Sequence, residues 1–295
     1  MTISGFDHFI VLVNNLDSAI QAYRRLGFDA RAGGEHPAMG SHNALIALAD
    51  GTYIELVAFK DMALAEKSYW RKGVERLRVS EGFGGFVLAS NDLANEVAQI
   101  NSRGAVSAPR ILGGATPPLQ YDEPRAGSRL RPDGQRVEWH TAMIGGSPVG
   151  LMPFLIQDDT PRALRIEPAK EGTGNRARVK EVVVAVQDID QAREAYHALL
   201  NIEPKRVHNT ANDVTGYRIT ADWGSIVLAH PERSGNAMAD VLKERGEGIY
   251  ALSLEVEGLG RDRIHLKNEG IPFKLDSNGF LIDPAFACGA RLRLV

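Results

Sequence analysis

The stretch that decides the fold is residues 5–13, Gly-Phe-Asp-His-Phe-Ile-Val-Leu-Val, near the start of the chain. Its β-branched and aromatic residues predict a buried strand. Because alternate residues of a strand point to opposite faces, His8 is expected to share a face with Ile10. Phe9 and Val11 then lie on the other face. A histidine in so apolar a strand needs a hydrogen-bonding or ionic partner.

The composition is that of an ordinary globular protein. The chain has 295 residues, 44% hydrophobic and 24% charged, with a net charge of −3, which allows one large domain or two of usual size. No long basic run favours nucleic acid or an anionic membrane surface. The single cysteine, Cys288, excludes an internal disulfide. Without a signal-like start or a membrane-spanning apolar run, we expect a cytoplasmic protein.

A helix and three strands are predicted after the first strand. Apolar residues at helical spacing over 16–26, followed by Gly27, predict the helix. The strands are predicted at 28–31, 43–49 and 52–59, with a loop at 33–41 and a hairpin turn at Asp50-Gly51.

This order of elements recurs three more times along the chain. Each unit has an apolar strand, a polar pair, a Leu or Ile, and a short helix that stops at Gly or Asn. The later units open with strands predicted at 82–89, 182–186 and 249–256. The alternative is chance, because strand–helix–strand order is common. We predict an α+β fold of four βαβββ modules in two paired halves.

A polar, proline-containing segment separates the second module from the third. It is predicted to be a linker. We therefore predict an N-terminal domain at 1–157, a linker at 158–176 and a C-terminal half at 177–295. Residues 104–133 also have the composition of a loop, and a loop of this length is either functional or disordered.

Glu55 is a second polar residue in the middle of an apolar strand. A buried carboxylate is costly unless it is paired, hydrogen-bonded or bound to a metal. If the sheet curves around its helix, Glu55 and His8 both point into the concave side. Such a pair is half of a metal site or a general-base pair. The alternative is a core histidine that makes a structural bond to the carboxylate.

The four modules, with His8 in the first strand and Glu55 in the fourth, resemble the vicinal oxygen chelate superfamily. The runs that resemble its glyoxalase-like domain proteins are 36–45, 50–56, 129–134 and 137–139. The resemblance implies a glyoxalase/bleomycin-resistance-type fold, in which paired modules close cup-shaped mixed sheets around a divalent metal.

That metal is usually Mn²⁺, Fe²⁺, Zn²⁺ or Ni²⁺, held by the first and last strands of paired modules. It binds two neighbouring oxygens of the substrate as Lewis acid and template. The resemblance therefore implies that His8 and Glu55 are metal ligands and catalytic residues. The expected function is a metal-dependent lyase or isomerase that acts on a small oxygenated organic substrate.

The set of ligands is incomplete in this sequence. Gly85 and Glu181 stand at the positions equivalent to His8 in the second and third modules, and residues 153–156 offer no carboxylate. If Trp139 packs on the helix side of its strand, His140 faces the cavity as a third ligand. A set of His8, His42, His140 and Glu55 would suit a first-row transition metal.

Six residues are predicted to contact the substrate: His36, His42, Asn43, Tyr53, His140 and Arg131. Loop-bracing hydrogen bonds and solvated surface positions are the alternatives for them. Without a metal, His8 and Glu55 would act as a base and its orienting group.

Three other functions stay open. One is a bleomycin-resistance-like protein that sequesters a small molecule without chemistry, the second is an extradiol-type dioxygenase, and the third is a structural paralogue with no ligand. In the first two cases the partner is a small molecule, and no nucleic acid or membrane is expected. The sequence leaves a homodimer open.

Overall fold

The computed structural model describes residues 3–103, 119–145, 150–209, 214–233, 235–276 and 279–295. Within these ranges there are sixteen strands and eight α-helices, and the strands and four of the helices follow the order that the repeat predicts. The prediction of an α+β fold made of four βαβββ modules is confirmed.

The first module has one helix and four strands. These are β1 (Ile3–Leu12), α1 (Leu16–Arg25), β2 (Arg31–His36), β3 (Ser41–Ala47) and β4 (Tyr53–Phe59). The side chain of Asn15 caps α1 by accepting the main-chain N–H of Ser18 at 2.9 Å. The sequence did not predict two short helices that follow β4, α2 (Met62–Glu66) and α3 (Arg71–Val79).

The predicted strand at 28–31 is wrong, and the predicted loop at 33–41 is wrong over 33–36, because β2 runs through Gly33 and Gly34. Gly34 has φ +140°, and a Cβ there would overlap the carbonyl oxygen of Leu130. These glycines permit a close approach between strands. In the sequence alone, a run of glycines is typical of a loop.

The second module repeats the first. It contains β5 (Gly82–Ser90), α4 (Leu93–Ser102), β6 (Arg125–Leu130), β7 (Arg136–Ala142) and β8 (Phe154–Asp158). The predicted loop at 104–133 is therefore wrong over β6. Its first part, 104–118, lies outside the described residues.

A short helix, α5 (Arg162–Arg165), follows β8 within the predicted linker. The third module has β9 (Ala177–Ala185), α6 (Ile189–Leu200), β10 (Lys205–Asn209), β11 (Val214–Ala221) and β12 (Gly224–Pro231). After α7 (Ala237–Arg245), the fourth has β13 (Gly248–Val256), α8 (Leu259–Asn268), β14 (Phe273–Asp276), β15 (Gly279–Ile282) and β16 (Leu292–Leu294).

The first eight strands close into a barrel in the order β1-β4-β3-β2-β6-β7-β8-β5. In each module the first and last strands are parallel neighbours, as β1 is to β4 and β5 is to β8. The other eight strands form one sheet, ordered β10-β11-β12-β9-β13-β16-β15-β14. Closure brings the middles of β1, β4, β5 and β8 around one interior.

The two sets of modules share a hydrophobic core. The rings of Phe6 and Trp223 pack edge to face, with centroids 4.6 Å apart. Buried Tyr23 donates to the carbonyl oxygen of Ala287 at 3.3 Å. The domain boundaries that the sequence suggested stay a prediction. Among the helices in the described part of the chain, none is long and apolar enough to span a bilayer.

Candidate functional site

The barrel encloses a cavity of about 510 Å³. Its apolar and aromatic wall includes Ile10, Met39, Leu45, Trp70, Phe86, Trp139, Met152, Phe154 and Ile156. Its polar groups include His8, His36, Asn43, Tyr53, Glu55, Arg129 and Arg165. A mainly apolar cavity with a few convergent polar groups suits a small organic ligand.

A β-bulge in β1 brings Asp7 next to His8. Against β5, Phe6 pairs with Leu88 and His8 with Val87, so Asp7 is the extra residue. A bulge interrupts the alternation of side chains along a strand. Asp7 is 1% exposed, and its Oδ1 lies 2.6 Å from Nδ1 of His8. Strict alternation would place it on the opposite face, which is why the sequence pattern missed it.

His8 lies between two carboxylates. Its Nδ1 faces Asp7, and its Nε2 lies 3.3 Å from Oε2 of Glu55. Asn43 donates to the other oxygen of Glu55 at 2.6 Å. Because both ring nitrogens face anionic acceptors, the arrangement favours the imidazolium form, in which both nitrogens donate.

The charges of these groups support one another. Burial alone would raise the pKa of Glu55, but the hydrogen bond and positive charge of His8 lower it to about 2. Burial would lower the pKa of His8, and the bonds to Asp7 and Glu55 outweigh burial and raise it. For Asp7, burial is outweighed by the charge of Arg165 and the bond to His8, so its pKa lies well below its usual value.

Arg165 of α5 is the second charged group, after Asp7, that the sequence missed. It is 4% exposed and donates to Asp7 Oδ1 at 3.0 Å and Oδ2 at 2.6 Å. It also donates to the hydroxyl of Tyr53 at 2.7 Å and to Asp158 at 3.1 Å. Arg162, one turn earlier, also binds Asp7. Their only sequence signal is two arginines three residues apart in the predicted linker.

Tyr53 and His36 border the charged groups. The ring of Tyr53 stacks on His8 with centroids 4.6 Å apart. Burial raises the pKa of Tyr53, so its hydroxyl keeps its proton at neutral pH. His36 Nδ1 lies 3.2 Å from the hydroxyl of Ser41, and burial lowers the pKa of His36, which favours the neutral ring.

The barrel brings together five of the residues that the sequence proposed: His8, His36, Asn43, Tyr53 and Glu55. It does not bring in His42, which adjoins cavity-lining Asn43 on the strand and therefore faces the other way. Arg131 pairs instead with Asp133 and Glu167, at 3.1 Å in each case. Arg129, two residues earlier and within β6, lines the cavity, as does Arg125 at the start of that strand.

The predicted orientation of His140 is wrong. Trp139 lines the cavity, so its neighbour His140 points outward, where the side chain is 44% exposed and Nδ1 lies 2.8 Å from Asp159. That expectation depended on Trp139 packing on the helix side of its strand. The barrel interior is itself largely apolar, so the tryptophan fits there.

The described residues do not fit the expected metal centre. No three His, Cys, Asp or Glu side chains among them could hold an ion together. The segments 104–118 and 146–149, outside those residues, contain none of these residue types. At the position equivalent to His8, a Cβ on Gly85 would meet the main chain of Gly150 at 3.8 Å. Among the residues that the structure describes, Glu55 and His8 therefore have no third ligand.

We predict that stability depends on pH through this network. Glu55 titrates at about 2 when folded and ordinarily at 4.5, so its contribution is complete above about pH 5 and is lost as the pH falls toward 2. His8 has a raised pKa, so its contribution is complete below about pH 6.5 and is lost as the pH rises through the folded value. Urea unfolding at a series of pH values should show greatest stability between about pH 5 and 6.5. In Glu55→Gln the loss on the acid side should be smaller, and an unchanged acid limb would contradict the assignment.

Comparisons with known proteins agree with this architecture. The family model described as "Glyoxalase-like domain" matches residues 6–200. A hypothetical protein from Staphylococcus aureus is 14% identical with a TM-score of 0.67, covering 99% of this chain and 98% of that chain. A triple mutant of 4-hydroxymandelate synthase from Streptomyces coelicolor is 12% identical with a TM-score of 0.63, covering 100% and 92%. At such identities these structures show the fold alone.

A shorter part of the chain is similar in structure to methylmalonyl-CoA epimerase from Mycobacterium tuberculosis. It is 24% identical with a TM-score of 0.36, and the match covers 40% of this chain and 86% of that chain. No curated protein matches the sequence.

Proposed function

Since this chain belongs to the glyoxalase-like domain family of the vicinal oxygen chelate superfamily, we propose that its barrel is the site of an isomerase or lyase that moves a proton on a small, largely apolar, oxygenated substrate. The observation that carries the proposal is a buried, ionised carboxylate, Glu55, which lines a mainly apolar cavity beside the protonated hydroxyl of Tyr53. A proton acceptor and a proton donor on one wall are what enolisation next to a carbonyl requires.

The two groups lie on the same face of β4, two residues apart. The hydroxyl of Tyr53 accepts a hydrogen bond from Arg165, which leaves its own proton to donate to a ligand oxygen. In the proposed step Glu55 takes a proton from the carbon next to a carbonyl. The electron pair of the C–H bond becomes the C=C bond, and the carbonyl π pair moves to the oxygen that Tyr53 holds.

Return of the proton to another carbon gives an isomerase, and loss of a group from the neighbouring carbon gives a lyase. His8 offsets the charge of Glu55 before the step and is bonded to it on the side away from Asn43. A pKa of about 2 makes Glu55 a weak base in the free protein. Exclusion of water by an apolar ligand raises the proton affinity of a carboxylate, which offsets this weakness.

A sequestering protein without chemistry is the second candidate function. The apolar wall of the cavity and the absence of a third metal ligand among the described residues favour it. It differs from the enzyme in one observable, since a sequestering protein binds a ligand without exchanging its protons.

The experiment is proton exchange in D₂O. The protein is incubated with a panel of small enolisable ketones and 2-oxo acids that carry aryl or branched alkyl groups, and ¹H NMR follows the α-hydrogen signals. We expect the protein to speed the replacement of an α-hydrogen by deuterium in at least one compound that it binds. Binding without exchange would overturn the enzyme proposal in favour of sequestration. No binding in the panel would contradict both.

A further inference from the structure

Arg165 is a fixed positive charge at the polar end of the cavity. Its guanidinium donates to Asp7 of β1, Tyr53 of β4 and Asp158 of β8, at 2.6–3.1 Å. It is almost fully buried and lines the cavity. Two N–H groups directed at the two oxygens of one carboxylate make the fork geometry that fixes position as well as charge.

The strands that meet at Arg165 are first and last strands of their modules. In the superfamily that this chain resembles, strands at these positions supply the metal ligands. Here the groups on β1 and β4 are already bonded within the protein, because Asp7 holds the guanidinium and His8 lies between Asp7 and Glu55. On β5 the equivalent position is Gly85, against which the main chain of Gly150 lies.

We propose that the guanidinium of Arg165 is the resident cation of this barrel and that the segment after the barrel, through α5, is part of the site. Arg165 is then a positioning residue. It holds the Tyr53 oxygen so that the phenolic proton is left for the ligand, and it holds Asp7 against His8. The inference deepens the proposed function by naming the source of positive charge, and it also applies if the barrel only binds its ligand.

The test compares Arg165→Ala with Arg131→Ala in the full chain. Arg131 is a matched control, since it also donates to α5, at the carbonyl oxygen of Leu164, but its carboxylate partners Asp133 and Glu167 are 44% and 50% exposed. Each protein, purified without added metal or chelator, is analysed for metal content. Its melting temperature is then measured alone and with Mn²⁺, Zn²⁺ or Ni²⁺. A further measurement adds millimolar guanidinium chloride, with the same concentration of NaCl as its control.

We expect wild type to hold less than about a tenth of an equivalent of metal and to gain no stability from the three ions, because its ligands are already engaged. Arg165→Ala should melt roughly 10 °C lower, because Asp7 is left as a buried carboxylate without its main counter-ion. Guanidinium should restore part of that loss in Arg165→Ala and none in Arg131→Ala. A merely structural side chain would not respond to the free cation. If Arg165→Ala does not fold, Arg165→Lys, which keeps the charge without the fork, should fold and melt below both wild type and Arg131→Ala.

Near one equivalent of metal in wild type, lost in a His8→Ala, Glu55→Ala double variant, would overturn the proposal. The proposal would also be overturned if Arg165→Ala had the same melting temperature as Arg131→Ala and guanidinium chloride did not raise it. These readouts involve no substrate, so their failure is distinct from a failure of the proton-exchange experiment.

Discussion

Replacement of Asp7 by asparagine should lower the free energy of unfolding by about 3–5 kcal/mol, because it leaves buried cations without their anion. Asp7 receives both terminal nitrogens of Arg165 and the ring of His8, and it is 1% exposed. An amide of the same shape cannot offset either positive charge, and its NH₂ group faces N–H donors. Urea unfolding at pH 6 measures the difference between the variant and wild type.

The matched control is Asp159→Asn. Asp159 also pairs with a histidine, His140, but at the surface, where its side chain is 38% exposed. An exposed pair contributes at most about 1 kcal/mol, so this variant should stay near wild type. Equal losses in the two variants would show that the buried network around Asp7 does not hold α5 to the barrel.

Glu55→Gln should reduce proton exchange by about 10²–10⁴-fold in any compound that the wild-type protein turns over. Glutamine keeps the shape of the side chain, and its one carbonyl oxygen can accept from either Asn43 or His8, but the amide cannot accept a proton. Ligand affinity should change by less than about tenfold, since the cavity wall is mainly apolar. The measurement pairs ¹H NMR exchange rates in D₂O with a binding titration on the same compound.

The control for this variant is His140→Gln, a change at the position that the sequence wrongly placed in the cavity. His140 lies outside the barrel interior, so exchange should match the wild-type rate. If Glu55→Gln exchanged protons as fast as the wild-type protein, the base would have to be another group. If both variants lost exchange equally, the effect would be one of folding.

Strand alternation predicted the parts of the site that lie on regular strands. His8, Tyr53 and Glu55 sit where parity places them because β1 and β4 pair in parallel through that region without interruption. Asp7 was not predictable from the same rule, since the register shift that turns it inward belongs to the pairing of β1 with β5. A bulge is a property of two strands, and the sequence of one strand does not reveal it.

Residues whose environment depends on distant parts of the chain were misjudged for the same reason. Trp139 faces the cavity, where it lies over Gly127 of the neighbouring strand, and a local pattern could not distinguish an apolar barrel interior from a helix-covered face. Arg165 was missed because a polar segment with prolines is typical of a linker. The four-module fold was predictable because each module repeats the same local order of elements.

The position of Arg165 after β8 has a consequence for how such chains diverge. A segment that only joins two halves tolerates insertions and exchanges between relatives, whereas one that supplies a buried charge must change together with its acceptors. We therefore expect positions 7 and 165 to covary during evolution, with the carboxylate and the guanidinium retained or lost as a pair. A gene fusion or transplant that ended the barrel at β8 would preserve every strand of the barrel. Asp7 would then lack the guanidinium of Arg165.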